Sequence, residues 1–308
     1  HAFDYKKVAY GLQRMLWGFF KKLVIAERLG ILVNTVYGDY EGYPGAYIWV
    51  ATICYAFQLY TDFSGCMDIV LGMSESFGIL LPENFKTPFF ARSVAEYWRR
   101  WHITLGVWMK DYVFYPVLRS KFFTRLDKSF KEKFGKKKGK QYAAFAAMFI
   151  LWLTVGIWHG GDWKFVIGSG LLHWFYIVME ELLEAPCRKA MERLSINPAG
   201  RVIGTIRIFR TFFLVCIGDL FFRAASVGDA LAMLKGAVTV WNPHVVWDGS
   251  VFDLGLDAIE AVVTVLSLLL LFAVSACRIA VGNDYWVYRS DFLLIEQNRH
   301  VSFEFGFV

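Results

Sequence analysis

Charge is scarce in this chain. Of 308 residues, 19% are charged and 56% are hydrophobic. A soluble domain carries about 25% charged and roughly 45–50% apolar residues. The deficit argues against a soluble α domain with a large core and for a multi-span membrane protein. Cysteine is sparse too. Cys54, Cys66, Cys187, Cys216 and Cys277 lie far apart, mostly in apolar context. None forms CxxC or a metal-ligand spacing, which excludes a disulfide framework and a zinc site. HExxH, clustered histidine and aspartate, the Walker loop and the dinucleotide glycine loop are all missing; "GSGLLH" does not follow a strand. No metal and no tightly bound cofactor is therefore expected. No signal-peptide pattern, internal repeat or low-complexity linker is seen. The chain opens at His1 in mid-pattern, so a single membrane domain over 1–308 is expected, a fragment short of N-terminal spans and of its C-terminal end.

What is present is a set of long uncharged runs. "GYPGAYIWVATICYAFQLYT" (42–61), "YAAFAAMFILWLTVGIW" (142–158), Phe165–Met179 with His173 inside, and "AVVTVLSLLLLFAVSAC" (261–277) are candidate spans. Val202–Phe222 is another, interrupted by Arg207, Arg210 and Asp219. The N-terminal "VAYGLQRMLWGFFKKLVIAERLG" fits either an interfacial amphipathic helix or a span with a basic flank.

Charge between the runs sets their orientation. Arg119–Gln141 holds ten Lys/Arg against two acids, a surplus of 8, while the whole chain is only +6. The basic balance thus sits in one connection and gives no reason to expect nucleic acid. By the positive-inside rule that connection is cytoplasmic. Arg188, Lys189, Arg193 and Arg201 follow two spans later and belong on the same side. Gly236–Cys277 has no Lys or Arg but four acids, and belongs outside.

Charged residues inside spans usually face a cavity or a partner, since each costs roughly 2.5–3.5 kcal/mol at the middle of a span. Three clusters stand out. "EYWRRWHITLGVWMKDYVFYP" (96–116) mixes five charges and a histidine with seven aromatics. Ser93 and Glu96 have capping-box spacing, so a helix should start there and stop or kink at Pro116. On that helix Trp98, His102 and Leu105 share a face and Arg99 and Arg100 do not. Two readings fit: an aromatic-belt helix with snorkelling arginines, or a re-entrant segment lining a cavity. "TVGIWHGGDW" (154–163) puts His159 at the end of an apolar run before two glycines. A neutral imidazole there can take a proton from a hydroxyl; it also fits a histidine hydrogen-bonded at a helix end. "FQLYTDFSGCMDIVLG" (57–72) carries Asp62 and Asp68, six apart and so on different helical faces. A polar network is the better reading, with Asp62 capping a broken helix. Asp219 and Arg223 have i, i+4 spacing and can pair. His173 reads as a hydrogen-bonded packing residue.

These stretches together resemble one family. Phe57–Pro116, "GIWHGGDWKFVIGSGLLHW" and "GDLFFRAASVGDALAMLKG" are similar, in order, to the shared segments of the membrane-bound O-acyltransferases, and most of all to its alginate O-acetylation branch. "RRWH" followed by "WHGGDW" carries most of the likeness. After "DYVFYP" the branch usually has a Leu-Gly-Gly stretch; here "VLRSKFFTRLDKS" follows, which leaves the polymer open. The resemblance implies an all-α, polytopic transmembrane bundle with re-entrant and interfacial helices around a central funnel, in the bacterial cytoplasmic membrane. It implies His159 and His102 as the catalytic pair, with His159 the base. Trp101, Asn84, Trp158 and Asp62 are the expected substrate-binding residues, donors near His102, Trp101 or Asn84 serving the oxyanion. The implied donor is an acyl-CoA or an acyl carrier protein thioester, and the implied acyl group is acetyl. The implied partners are membrane lipid, an extracytoplasmic acetyltransferase and a polysaccharide. Direct transfer is the simpler scheme; an acyl-enzyme on Ser64 or Cys66 has no adjacent base in the sequence. D-alanyl transfer to teichoic acid is the alternative within the family. From other classes, a lipid-linked sugar transporter would need inverted repeats, and a polysaccharide-export scaffold would tolerate loss of both histidines.

Overall fold

The computed structural model describes residues 4–281. Among these residues there are helices, turns and one isolated bridge, and no strand longer than that.

Asp4 starts the first rod by accepting from the Lys6 and Lys7 amides. The rod is α1 (Tyr5–Phe19), a π-helical turn (Phe20–Ala26) and α2 (Glu27–Gly38). It lies antiparallel to α3 (Ala46–Ser76). Glycines set the closeness: a Cβ on Gly72 would sit 2.4 Å from the Gly11 carbonyl oxygen, and one on Gly18 2.6 Å from that of Gly65. Across this seam runs a buried ion network. Arg14 meets Asp68 at 2.9 Å and Glu83 at 2.6 Å, and Lys21 meets Asp68 at 2.5 Å. With these partners α3 continues unbroken through Asp62, Ser64 and Gly65, so the break expected there does not occur. The uncharged 42–61 run supplies only its first half.

Ser93 caps α4 (Val94–Arg100) as its spacing predicts, accepting from the Glu96 amide at 3.0 Å. The reciprocal half of the box is different: the Glu96 carboxylate takes the Arg92 amide. The chain then breaks at Trp101–His102, well before Pro116, and restarts as α5 (Ile103–Met109). A π turn (Lys110–Phe114) leads into α6 (Tyr115–Arg119). Pro116 does not stop the helix: the residues ahead of it, from Ile103 through the π turn, are already helical and run on into α6. The Lys-rich connection is itself helical: α7 (Lys121–Phe134) folds back through Gly135 onto α8 (Lys136–Trp158).

Beyond α8 come a π turn (Phe165–Leu171), α9 (Leu172–Arg193), α10 (Arg201–Arg223) and α11 (Val227–Thr239). The last described helix is α12 (Ala258–Val281). Among the described residues three helices are long and apolar enough to cross a membrane: α8, the Phe165–Arg193 helix, and α12. The span candidates in α3 and α10 fall outside that set. Both carry charges along their length. Large apolar side chains such as Val262, Leu266, Leu269 and Phe272 stand exposed on α12, an arrangement that suits lipid rather than water.

Candidate active site

The broken α4–α5 segment, the end of α8 and the last turns of α10 border a cavity of about 690 Å³. Its wall includes Trp98, His102, Trp158, His159, His173 and Asp219. The helix break changes the first cluster in one respect: Arg99, expected on another face, borders the cavity as well. Trp98, His102 and Leu105 do not lie on one continuous helix, yet all three face the cavity.

His102 occupies the left-handed region, φ 46° and ψ 52°. Non-glycine residues visit it seldom, at a cost of about 1–2 kcal/mol. Main-chain bonds on either side hold it there: Ile103 N–H to Asn84 O at 3.1 Å, and Lys86 N–H to Arg100 O at 2.9 Å. The Phe85–Trp101 bridge lies between them. The ring packs edge-on to Phe63, centroids 4.8 Å apart.

His159 follows the last residue of α8. Gly160 (φ 136°) and Gly161 (φ 75°) then turn the chain through conformations that L side chains resist. The imidazole sits 4.8 Å from the Trp158 ring and 5.2 Å from Phe222. Trp158 also lies 6.3 Å from His102, so it adjoins both histidines. Burial pushes His159 down to about 4, helped by the charge that His102 would carry. Burial lowers His102 as well. Both rings are therefore neutral near pH 7 and carry one bare nitrogen each.

The other expected residues divide. Trp101 is buried, stacked on Tyr97 at 5.6 Å, and reaches the cavity. Trp158 reaches it with half its surface exposed. Asn84 is 5% exposed and lies behind His102, off the cavity wall. Asp62 points elsewhere and pairs with Lys22. Asp68 belongs to the seam network. Ser64 also lies away from the cavity, and the group beside it is Lys21, at 2.8 Å. His173 packs against Trp98 and Trp152 as expected and borders the cavity besides, but its buried Nδ1 has no hydrogen-bond partner among the described residues, so the hydrogen bond expected of it is not made there.

Asp219 is the cavity residue that sequence reasoning missed. Its spacing to Arg223 suggested a local pair. Arg223 instead donates to Asn34 Oδ1 at 2.6 Å and lies over the Tyr37 ring. The signal that was available is the lone acid of the run Thr211–Phe222.

The family model of the membrane-bound O-acyltransferases matches residues 4–227. The probable alginate O-acetylase AlgI of Pseudomonas aeruginosa is 30% identical over 235 residues, 76% of this chain and 39% of that protein. The peptidoglycan O-acetyltransferase of Helicobacter pylori is also 30% identical, over 76% of this chain and 40% of its own. The teichoic acid D-alanyltransferase of Bacillus subtilis is 27% identical over 71% of this chain and 52% of its own. The chain thus spans about two fifths of the length of the first two.

Proposed function

The chain belongs to the membrane-bound O-acyltransferase family, and from that premise we propose that it moves an acyl group, most simply acetyl, from a cytoplasmic thioester to a hydroxyl outside. The observation that carries the proposal is the shared cavity: two neutral imidazoles, from separate segments of the chain, border one space. A hydroxyl is a weak nucleophile near neutral pH and needs a base as it attacks. His159 takes the hydroxyl proton while the oxygen bonds to the thioester carbonyl carbon. The carbon–sulfur bond breaks, the ester leaves, and the proton passes from the imidazole to the departing thiolate. No acyl-enzyme is needed, in keeping with the position of Ser64 away from the cavity.

The setting is a multi-pass protein of the bacterial cytoplasmic membrane, for which the three apolar helices are support. The donor is a coenzyme A or carrier-protein thioester. The basic α7–α8 hairpin favours an anionic donor on its side. The acceptor is a polysaccharide hydroxyl or an extracytoplasmic acetyltransferase that completes the transfer. An acetyl group is favoured over D-alanyl because two relatives at 30% identity are named for O-acetylation.

The test uses the full-length protein in membranes with its partners present. Radiolabelled acyl transfer from a thioester is compared for wild type, His159→Ala and His159→Gln at equal abundance. A fall on the order of 10²–10⁴ in both variants supports the base assignment. Unchanged transfer removes His159 from the mechanism.

A further inference from the structure

The side chain behind His102 decides which of its nitrogens is bare. Asn84 Oδ1 receives the Thr104 backbone N–H at 3.2 Å and the Thr104 hydroxyl at 2.6 Å. A backbone N–H can only donate, so the amide atom facing it is the oxygen, and the Asn84 amide has one orientation. His102 Nδ1 lies 3.3 Å from the same oxygen. A bare ring nitrogen there would set lone pair against lone pair, so Nδ1 carries the hydrogen. A neutral imidazole has one N–H, and Nε2 is left bare. His102 borders the cavity and Asn84 does not, which turns the edge opposite Nδ1 toward the substrate space.

Resting on the acyl-transfer reading above, we propose that Asn84 is a positioning residue that fixes His102 as the Nδ1–H tautomer, so that His102 Nε2 accepts a hydrogen bond from a donor of the bound substrates other than the O–H whose proton His159 takes. The pattern is that of a histidine whose tautomer is set by the bond its other nitrogen makes. It takes neutral His102 out of the oxyanion donors expected from the sequence, and Asn84 drops out with it because it lies off the cavity wall. A strut places Asn84. Arg14 grips the neighbouring Glu83 through two parallel bonds, 2.8 and 2.6 Å, and is itself anchored on Asp68. Main-chain bonds from Ile103 to Asn84 and from Lys86 to Arg100 complete the clamp around the strained His102 backbone. Depressed basicity from burial keeps the ring neutral, which is the state the tautomer requires.

The test reads the ring directly. The full-length protein, labelled with ring-¹⁵N histidine, is placed in nanodiscs, and the His102 signals are assigned by their loss in His102→Gln. Pyrrole-type Nδ1 and pyridine-type Nε2 are expected; the reverse pattern, or an averaged one, overturns the proposal. In acyl transfer, Asn84→Leu should lower kcat on the order of 100-fold with the donor KM within about threefold, while Asn84→Asp, which keeps an oxygen toward Nδ1, returns kcat to within about tenfold of wild type. An Asn84→Leu protein with wild-type kcat, or an Asn84→Asp protein no better than Leu, also overturns it. If Asn84→Leu does not accumulate folded, the wild-type spectrum and Asn84→Asp decide. Wild type that transfers no acyl group defeats the acyl-transfer reading instead, and leaves the tautomer to the spectrum.

Discussion

A histidine in water loses its proton near pH 6.5. His159, walled in by Trp158, Phe165 and Phe222, does so at about 4. Lowering the value keeps the base form at acidic pH. If His159 is the base, kcat/KM for transfer should stay flat from neutral pH down to about 5 and fall below that, as the ring gains its proton. An acid limb near 6.5 would mean that the base is a solvent-exposed group. The diglycine after His159 gives a second check. A Cβ on Gly160 would force a side chain into φ 136° and lie 3.2 Å from the Phe165 ring. Gly160→Ala should cost about 1–3 kcal/mol and lower transfer at least as much as thermal stability; transfer at wild-type rate would show that the turn does not aim His159. At this scale the sequence was informative where a polar residue interrupts an apolar run. His159 and His102 were found that way. Asn84 was picked out, but its role was not legible. Its partner Thr104 lies twenty residues on, and only a break in the helix brings the two together.

Elements were harder to read wherever long-range pairing overrides local pattern. Asp62, Ser64 and Gly65 look like a helix break, and in isolation they are poor helix formers. Arg14 and Lys21, far earlier in the chain, neutralise Asp68, and α3 runs through. The small residues in that stretch serve the seam instead. Gly72→Val places branched carbons against the Gly11 carbonyl, 2.4 Å from the Cβ position, where backbone cannot yield cheaply. Overpacking of this kind costs about 1–3 kcal/mol, so the unfolding temperature in detergent should drop. Gly38→Ala, with nothing within 4 Å, is the control and should not lower it. Equal loss from both substitutions would mean that the α1–α3 seam is not tightly packed. The opposite error occurred at Arg119–Gln141. Its charge density suggested a bare connection, whereas the spacing of Phe123, Phe130 and Phe134 gives α7 an apolar face toward α8. Charge had masked periodicity.

For the whole molecule the question is which end of the cavity faces which compartment. The helix order answers it once one connection is fixed. If the Lys-rich α7–α8 hairpin is cytoplasmic, α8 carries His159 to the outer side and the Phe165–Arg193 helix returns inside. Ala46, at the start of α3, donates its N–H to the Asn242 side chain beyond α11, and the Tyr40 hydroxyl donates to Asp229. The start of α3 therefore meets the Lys- and Arg-free stretch that charge assigns to the outside. In a cysteine-free background, Ser129→Cys on α7 and Trp241→Cys after α11 test this with a membrane-impermeant maleimide on intact cells. Both positions are exposed, Trp241 at 89%. The Trp241→Cys protein should label in intact cells, and the Ser129→Cys protein only after permeabilisation. Labelling of the Ser129→Cys protein in intact cells would invert the topology. It would place His159 on the cytoplasmic side, and a cytoplasmic thioester would then reach the base without entering the membrane, leaving the cavity with no part in carrying an acyl group across.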